Sequence, residues 1–477
     1  MNNNTDKSLV FIAGFVPLFI LILLLLSSLN SLSSVDNPFE KELSKRVDPS
    51  LKKLYDEQKY MEALEKVKAL KEESYKKGDV GYYTYYLIEQ FKLESSLHAY
   101  ETALKNFIGA KKPEHPVAKI ILKLYETDAL NNYLHAYSYE IMKREKISEK
   151  DELDFDKYTK EELTAKIRSA YLEVYKERDK IEGIPLESLP DFINSGNFPK
   201  QVLANFRDFA AISVANFFSS NQYFSPVESR TAYKLKVDDL LNRDNLASNL
   251  ETIISSPSSH PLLIAAAALA EEEKHAFSKD RKSTAIEFHT RRSELIFYNL
   301  TQKEDRLKII EELKTFLEKN KDVEWYSWGI AEAAQFERNL GDEECQIRAK
   351  ELAVKGRNAY PNSPGGQRCK HLINSIEEKD FNIETMHSDG TNLPSVRITY
   401  KNLDKVFIRL IPVDIKDLIY KYNEIPRWND LFKIVKDIPP SKKIEIKLKP
   451  TPDYNYHNAF VNIPQDVPKG YYICAAS

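Results

Sequence analysis

Glu272 and His275 stand three residues apart in the segment LLIAAAALAEEEKHAF. A Glu-x-x-His pair on a helix is one part of the ligand set of a di-iron carboxylate bundle, which needs a second such pair and two further glutamates. The sequence offers no convincing second copy, so the pair reads as a solvated helix face. His98, His135 and His289 occur singly in helical patterns and read as surface or hydrogen-bonded residues. GYYTYYLIEQF, from Gly81 to Phe91, brings four tyrosines together. They either line a groove for a peptide or sugar or pack between helices with their hydroxyls reaching solvent. Glu72-Glu73 and Glu311-Glu312 are adjacent in sequence, so on a helix they point in different directions. The chain has no Walker loop and no GxGxxG, GxSxG or HExxH motif, and no Ser-His-Asp set announces itself. No residue is therefore assigned a catalytic, cofactor-binding or metal-binding role, no cofactor is expected, and the chain reads as a non-enzyme. Cys345, Cys369 and Cys474 form no CxxC. Cys345 and Cys369 either pair or remain free and buried, and an odd count leaves one thiol over in an exported chain.

The elements that would position these residues are helices. From about Asp48 to Lys379 the apolar residues recur at helical spacing. Asp48-Pro49 is a cap followed by proline in the first turn. Leu51, Leu54 and Tyr55 share one face, and Tyr60, Leu64, Val67 and Leu70 continue inward until Gly78-Asp79 ends the helix. A second helical hairpin starts at Trp325. Ala331 and Ala334 are small where helices approach, Leu340-Gly341-Asp342 is the turn, Ala349, Leu352 and Ala353 face back, and Tyr360-Pro361-Asn362-Ser363-Pro364 is the stop. That pattern resembles a tetratricopeptide repeat, whose hairpins stack because none buries its apolar face alone. Between the two hairpins, Glu182 to Pro199 reads as a connector, and it leads into an apolar helix with Phe206, Phe209, Ile212 and Phe217 on or near one face. The stretch NRDNLASNLETIISSPSSHP, ending at Pro261, contains a loop-like break, and the alanine run after it implies tight helix packing.

Leu9 to Leu26 is 18 residues without a charge. At about 1.5 Å per residue it reaches close to the width of a bilayer core. It is either an uncleaved signal-anchor with Lys7 kept inside or a signal peptide cleaved near Ser31 or Ser33, and both readings export the remainder. Lys plus Arg number 69 against 72 Asp plus Glu, a net charge of -3, and no basic stripe is present, so no nucleic-acid partner is expected. The expected division is residues 1–35 for the signal-anchor or signal peptide with its linker, 36–380 for the helical repeat-like region and 381–477 for a β region.

The β region starts with a change of period. Val396, Ile398 and Tyr400 alternate with Arg397, Thr399 and Lys401, which predicts a strand with one buried face. After a turn at Asn402-Leu403-Asp404-Lys405, KVFIRLIP is more apolar throughout and reads as a strand buried on both sides, forming a hairpin with the first. Phe381 to Met386, Lys442 to Pro450 with Ile444, Ile446 and Leu448 inward, the short NAFVNIP, and the segment after Lys469-Gly470 supply four more strand signals. Six strands of this length predict an antiparallel β-sandwich of the immunoglobulin-like class, one strand short of the usual seven.

The order of a helical region, then YPNSPGGQRCKHLINSIEEKDFNIET, then ITYKNLDKVFIRLIPVD and the closing VPKGYYICAAS resembles the N-terminal part of bacterial alpha-2-macroglobulin-family proteins. FPKQVLANFRDFAAISVANFF is also similar to a segment of that family's helical preface. The resemblance implies a helical preface followed by the first macroglobulin-like domain of an exported endopeptidase inhibitor that traps proteases. It further implies a place on the periplasmic side of a bacterial inner membrane, anchored or cleaved, with more macroglobulin-like domains beyond Ser477. The expected partners are the membrane, through Leu9 to Leu26, and proteases. The family's Cys-Gly-Glu-Gln thioester has no counterpart: Gln346 follows Cys345, Lys370 follows Cys369 and Ala475 follows Cys474. The alternative reading is a membrane-tethered tetratricopeptide-like scaffold or interaction protein of the cell envelope.

Overall fold

The computed structural model describes residues 48–193, 202–386, 394–422 and 438–477. The apolar run Leu9 to Leu26 and the end of the Glu182–Pro199 connector lie outside the described residues. Among the described residues no helix is long and apolar enough to cross a membrane. The chain is mostly helical, with a C-terminal region of two antiparallel sheets.

Helices of eight residues or more are numbered here. They are α1 (Pro49–Asp56), α2 (Tyr60–Lys77), α3 (Val80–Ser96), α4 (Tyr100–Gly109), α5 (Pro116–Ala136), α6 (Lys160–Lys176) and α7 (Phe206–Ser219). After several short turns of helix come α8 (Pro261–Ser278), α9 (Lys282–Asn299), α10 (Lys303–Lys319), α11 (Tyr326–Leu340), α12 (Cys345–Ala359) and α13 (Pro364–Glu377); α14 (Ile415–Tyr422) lies within the β region.

The boundaries follow from local chemistry. Asp48 caps α1 by accepting from the Ser50 and Leu51 amides, with Pro49 in the first turn where its missing N–H costs nothing. Gly78 (φ +67°) and Gly341 (φ +71°) end α2 and α11 in the left-handed conformation, which glycine adopts without a Cβ clash. The second hairpin packs as expected. Ala331, Ala334, Ala349 and Ala353 are fully buried, and a side chain on Gly356 would collide with the Ile330 side chain and the Cys369 sulfur. One apolar cluster runs from Leu51 to Ile373 through the helices.

Some expectations are corrected. Tyr60, the first residue of α2, is 36% exposed rather than facing inward. His98 is not helical. It takes φ +61° in the link between α3 and α4, held by its amide donating to the Ser95 carbonyl. The stretch ending at Pro261 does contain a break, at residues 256–260, preceded by the short helices Arg243–Ser248 and Leu250–Ser255, which bury Leu246, Leu250 and Ile254. The tyrosines pack between helices, and Tyr83 also borders a hollow of about 240 Å³ beside Tyr75. Tyr83, Tyr85 and Tyr86 are buried, Tyr82 stacks on Tyr86, and the Tyr83 hydroxyl donates to the Lys111 carbonyl. All three cysteines are free thiols, and Cys345 and Cys369 are buried.

The β region holds β1 (Asp380–Met386), β2 (Ser395–Lys401), β3 (Lys405–Val413), β4 (Lys442–Lys447), β5 (His457–Asn462) and β6 (Tyr471–Ala476). All six strand signals are therefore met by strands. The expected β2–β3 hairpin is not. β2 is the centre of a sheet ordered β1-β2-β5, and β3 is the centre of a second ordered β4-β3-β6. Every pairing is antiparallel, with Ile398 opposite Ile383 and Ala459, and Ile408 opposite Ile444 and Ala476. Strand β3 also buries one face rather than two. Val406, Ile408 and Leu410 point in, while Phe407 is 39% exposed and Arg409 is exposed. The physical reason is that both strands alternate. Val396, Ile398 and Tyr400 join Val406, Ile408, Leu410 and Leu448 in one apolar cluster, so β2 and β3 meet through side chains rather than backbone. Asn402, at φ +56°, makes the corner between the sheets.

Candidate functional site

The most concentrated ionisable chemistry among the described residues lies at Glu271-Glu272-Glu273, in the last turns of α8. The helix starts with Pro261 behind His260, whose ring nitrogen accepts from the Leu262 amide. Ala265 to Ala268 and Ala270 are fully buried, which thins α8 so that α7 and α9 pack closely on either side. The three glutamates continue this buried helix, and burying a carboxylate is costly unless a cation meets it.

On one side stands Arg207 of α7, with only 2% of its side chain exposed. The helix is set by a capping box, in which Asn205 accepts from the Asp208 amide and Asp208 accepts from the Asn205 amide; Asp208 is also paired with Arg281. The Arg207 guanidinium is shared three ways. Its Nε donates to Glu272 at 2.8 Å, its Nη2 to both Glu271 oxygens at 2.8 and 2.9 Å, and its Nη1 to Asp179. The Tyr175 hydroxyl donates to the Ala268 carbonyl at 3.1 Å beside Glu271 and Glu272. Burial, with the charge of Glu271 beside it, pushes the Glu272 carboxyl far above the usual range. Burial also opposes charge on Glu271, but a hydrogen bond from Glu272 and the charges of Arg207 and Arg178 hold it below that range.

On the other side Glu273 meets α9. His289 is fully buried, its ring stacked 3.5 Å from Phe316 of α10. Its Nδ1 lies 3.0 Å from Glu273 Oε1 and 3.2 Å from Arg292 Nη2, and its Nε2 lies 3.0 Å from Glu312 Oε2, so the ring bridges α8 and α10. Arg292 donates to the other Glu273 oxygen at 3.0 Å and to the Leu240 and Leu241 carbonyls. Burial disfavours charge on His289, but the attraction of Glu273 and the hydrogen bonds to Glu273 and Glu312 outweigh it and raise its pKa. Burial likewise acts against the Glu273 carboxylate, yet His289 and Arg292 bring it down to about 2. Beside the cluster is a hollow of about 600 Å³ that Arg243, His289, Arg292, Glu312 and Phe316 help to line. A carboxylate held this low is a poor proton acceptor at neutral pH, and both ring nitrogens of His289 are already engaged. What the arrangement supplies is rigid cross-linking of α8 to α7, α9 and α10.

The pH dependence follows. Glu273, depressed from 4.5 to about 2, contributes stability that is present above pH 4.5 and lost as pH falls towards 2. His289, raised above 6.5, contributes stability fully present below pH 6.5 and lost as pH rises through its folded value. Replacing His289 with Gln is therefore expected to destabilise the protein most between about pH 4.5 and 6.5, by roughly 3 kcal/mol. The difference from the parent narrows at both pH 3 and pH 10, as urea unfolding monitored by circular dichroism would measure.

The expected Glu272–His275 surface pair is corrected. Glu272 is buried on Arg207, whereas His275 Nε2 lies 3.1 Å from Glu182, the first residue of the connector. Among the described residues no group of three or more His, Cys, Asp and Glu side chains is placed to hold a metal ion. His135 Nε2 lies 3.3 Å from the Tyr223 hydroxyl. Glu311 pairs with Lys314 while Glu312 turns to His289, so these neighbours do diverge. Sequence reasoning missed Arg207 and Arg292. The available signal was a charged residue inside an otherwise apolar helix, as in NFRDFAAISVANFF.

A second polar constellation joins the helices to the sheets. The carbonyls at the end of α13 have no partners within the helix. Lys401 Nζ donates to the Ser375 carbonyl at 2.7 Å, and Asn402 Nδ2 donates to those of Ile376 and Glu378 at 2.8 and 3.0 Å. A cation at a helix C-terminus is favoured by the helix dipole. Lys350 of α12 donates to the Tyr454 hydroxyl at 2.7 Å and pairs with Glu377, and Asn455 donates to the Glu343 carbonyl at 2.8 Å. The corner that separates the two sheets is thus also the cap of the last helix before them.

Comparison of the chain with family models, with curated proteins and with solved structures finds no match.

Proposed function

We propose that this chain is the leading, structural part of an exported, membrane-associated protein of the alpha-2-macroglobulin type, an endopeptidase inhibitor, and that it performs no catalysis itself. The observation that carries this reading is the joint at Lys401-Asn402. A helical body ends and a two-sheet unit begins in the order that the resembling segments predict, and the two are fixed to one another by helix-end carbonyls. In this reading the body is a stack of tetratricopeptide-like hairpins, and the two sheets are an immunoglobulin-like macroglobulin sandwich, the first of several. Leu9 to Leu26 holds the assembly at the membrane. The coding sequence downstream of Ser477, and the behaviour of an endopeptidase mixed with the full-length product, test the proposal. Supporting results are further macroglobulin-like modules and a protease that still cleaves a small peptide but no longer a large protein. A stop codon after Ser477, with no effect on the protease, would overturn it.

A second reading, a tethered scaffold, is favoured by the way the buried charges are used, since Glu271, Glu272, Glu273, Arg207, Arg292 and His289 lock helices together. In either reading the joint must be stiff. The double substitution Lys401→Ala and Asn402→Ala removes three hydrogen bonds to α13 and is expected to lower stability by about 1–2 kcal/mol. It should also open the 378–380 link to limited proteolysis, whereas equal cleavage of parent and variant would show that the joint does not depend on these bonds.

A further inference from the structure

The outer face of the sheet ordered β4-β3-β6 sets like charges against each other. On β3 it presents Lys405, Phe407 and Arg409, and on β4 it presents Lys443, Glu445 and Lys447, all of them exposed. The register places Arg409 directly opposite Lys443 and Lys405 directly opposite Lys447, with Phe407 and Glu445 between them. Like charges directly opposite one another destabilise a sheet. Lys405 is partly offset, since its Nζ lies 3.7 Å from Glu445 and 5.0 Å from the centroid of the Phe407 ring. Arg409, Lys443 and Lys447 form no ion pair among the described residues. Lysines on an edge strand such as β4 keep it from pairing with other chains. That accounts for Lys443 and Lys447 but not for Arg409, because both edges of β3 are taken. Four cations and one carboxylate thus surround an exposed ring on a chain whose net charge is -3.

We infer that this face lies against a bilayer surface rich in anionic lipid. An open sheet face suits a broad surface better than a small ligand, and fluid lipid brings its phosphates to whatever spacing the cations have. Lysine and arginine stems lie along apolar surface with their charges outward, and a ring between them enters the headgroup boundary. Each basic residue close to such a surface strengthens binding roughly fivefold, so three unpaired ones give about a hundredfold. That is weak for a free protein but sufficient for a tethered one, because a tether raises the effective concentration. For the tether alone, the inference rests on the proposed attachment through Leu9 to Leu26.

The test uses the full chain with vesicles of phosphatidylcholine alone and with vesicles of phosphatidylcholine and phosphatidylglycerol in equal parts. Flotation with the neutral vesicles reports on the anchor. Lysine acetylation, mapped by mass spectrometry, reports on the face. Relative to exposed lysines of the helical body such as Lys119, the residues Lys405, Lys443 and Lys447 are expected to react at least about threefold more slowly on the anionic vesicles than on the neutral ones. They should regain their rate in about 1 M salt, which shortens the reach of charge to about 3 Å. The double variant K443E and K447E sets opposite charges across from Arg409 and Lys405, so it should be at least as stable as the parent. In it Lys405 should react equally on both kinds of vesicle. Protection on anionic vesicles in a chain that fails to float with neutral ones would count against the anchor and still support the face. Equal reactivity of the parent's lysines on both kinds of vesicle would overturn the inference. Protection by polyglutamate but not by anionic vesicles would also overturn it, and would assign the face to an acidic protein.

Discussion

Replacing Arg207 with methionine is expected to cost the protein about 3–5 kcal/mol of stability at pH 7, enough to abolish folding of a marginally stable chain. Methionine approximates the volume of the arginine stem but leaves Glu271, Glu272 and Asp179 without their shared cation, two of them in the wall of α8. The cost arises from the uncompensated carboxylates rather than from lost packing, and this gives the prediction a distinctive pH dependence. Without Arg207 the Glu271 carboxyl loses a charge that holds it down, so it protonates as pH falls beside the already raised Glu272. The difference between parent and R207M should shrink steadily from pH 7 to pH 4. Guanidinium unfolding at those two pH values measures it. A constant difference across the range would mean that Arg207 acts through its aliphatic stem.

The second large effect is expected at Gly365, in the first turn of α13. A methyl group there would lie 2.7 Å from the Trp328 Cα and closer still to that residue's amide nitrogen. The obstacle is backbone of α11 and cannot rotate away as a side chain would. Gly365→Ala therefore has to separate α13 from α11, which also strains the Ser327–Ser363 hydrogen bond at 3.0 Å and displaces Trp328 from its stacking on Trp325. A loss of at least about 3 kcal/mol is expected, at the upper end for small-to-large changes in packed interiors. Thermal unfolding and tryptophan fluorescence report on it. Gly78→Ala is the contrast: a methyl there meets nothing within 4 Å, and only the left-handed backbone opposes it. Its cost should be about 1 kcal/mol.

How far such features could be read in advance depended on their range along the chain. Caps, turns and periods are local, so Asp48-Pro49, Gly341, Ser363-Pro364 and the six strands were all visible as residue patterns. The corner at Asn402 was visible as a turn, but not as the link between sheets. A hairpin and an inter-sheet corner ask for the same residues, and only the partners of β2 and β3, which lie far away along the chain, tell them apart. The charged core was hidden for the same reason. Nothing near Arg207 announces Glu271, 64 residues on. The alanine run did foretell tight packing, and the missing step was that acids continuing such a run must be buried as well.

The inter-sheet corner also bears on how the β region comes off the ribosome. Because β2 and β3 are both central strands, synthesis delivers the middle of each sheet early and the flanks later. β2 has β1 at hand from the start, but β3 emerges with both of its backbone edges unsatisfied. One edge is closed when β4 appears, the other only when Tyr471–Ala476 has been made. For that interval the newest chain carries an open apolar strand, which is the kind of surface that invites pairing with a neighbouring nascent chain. The helical body, complete by then and able to receive Lys401 and Asn402 at the end of α13, offers β3 a fixed footing while it waits.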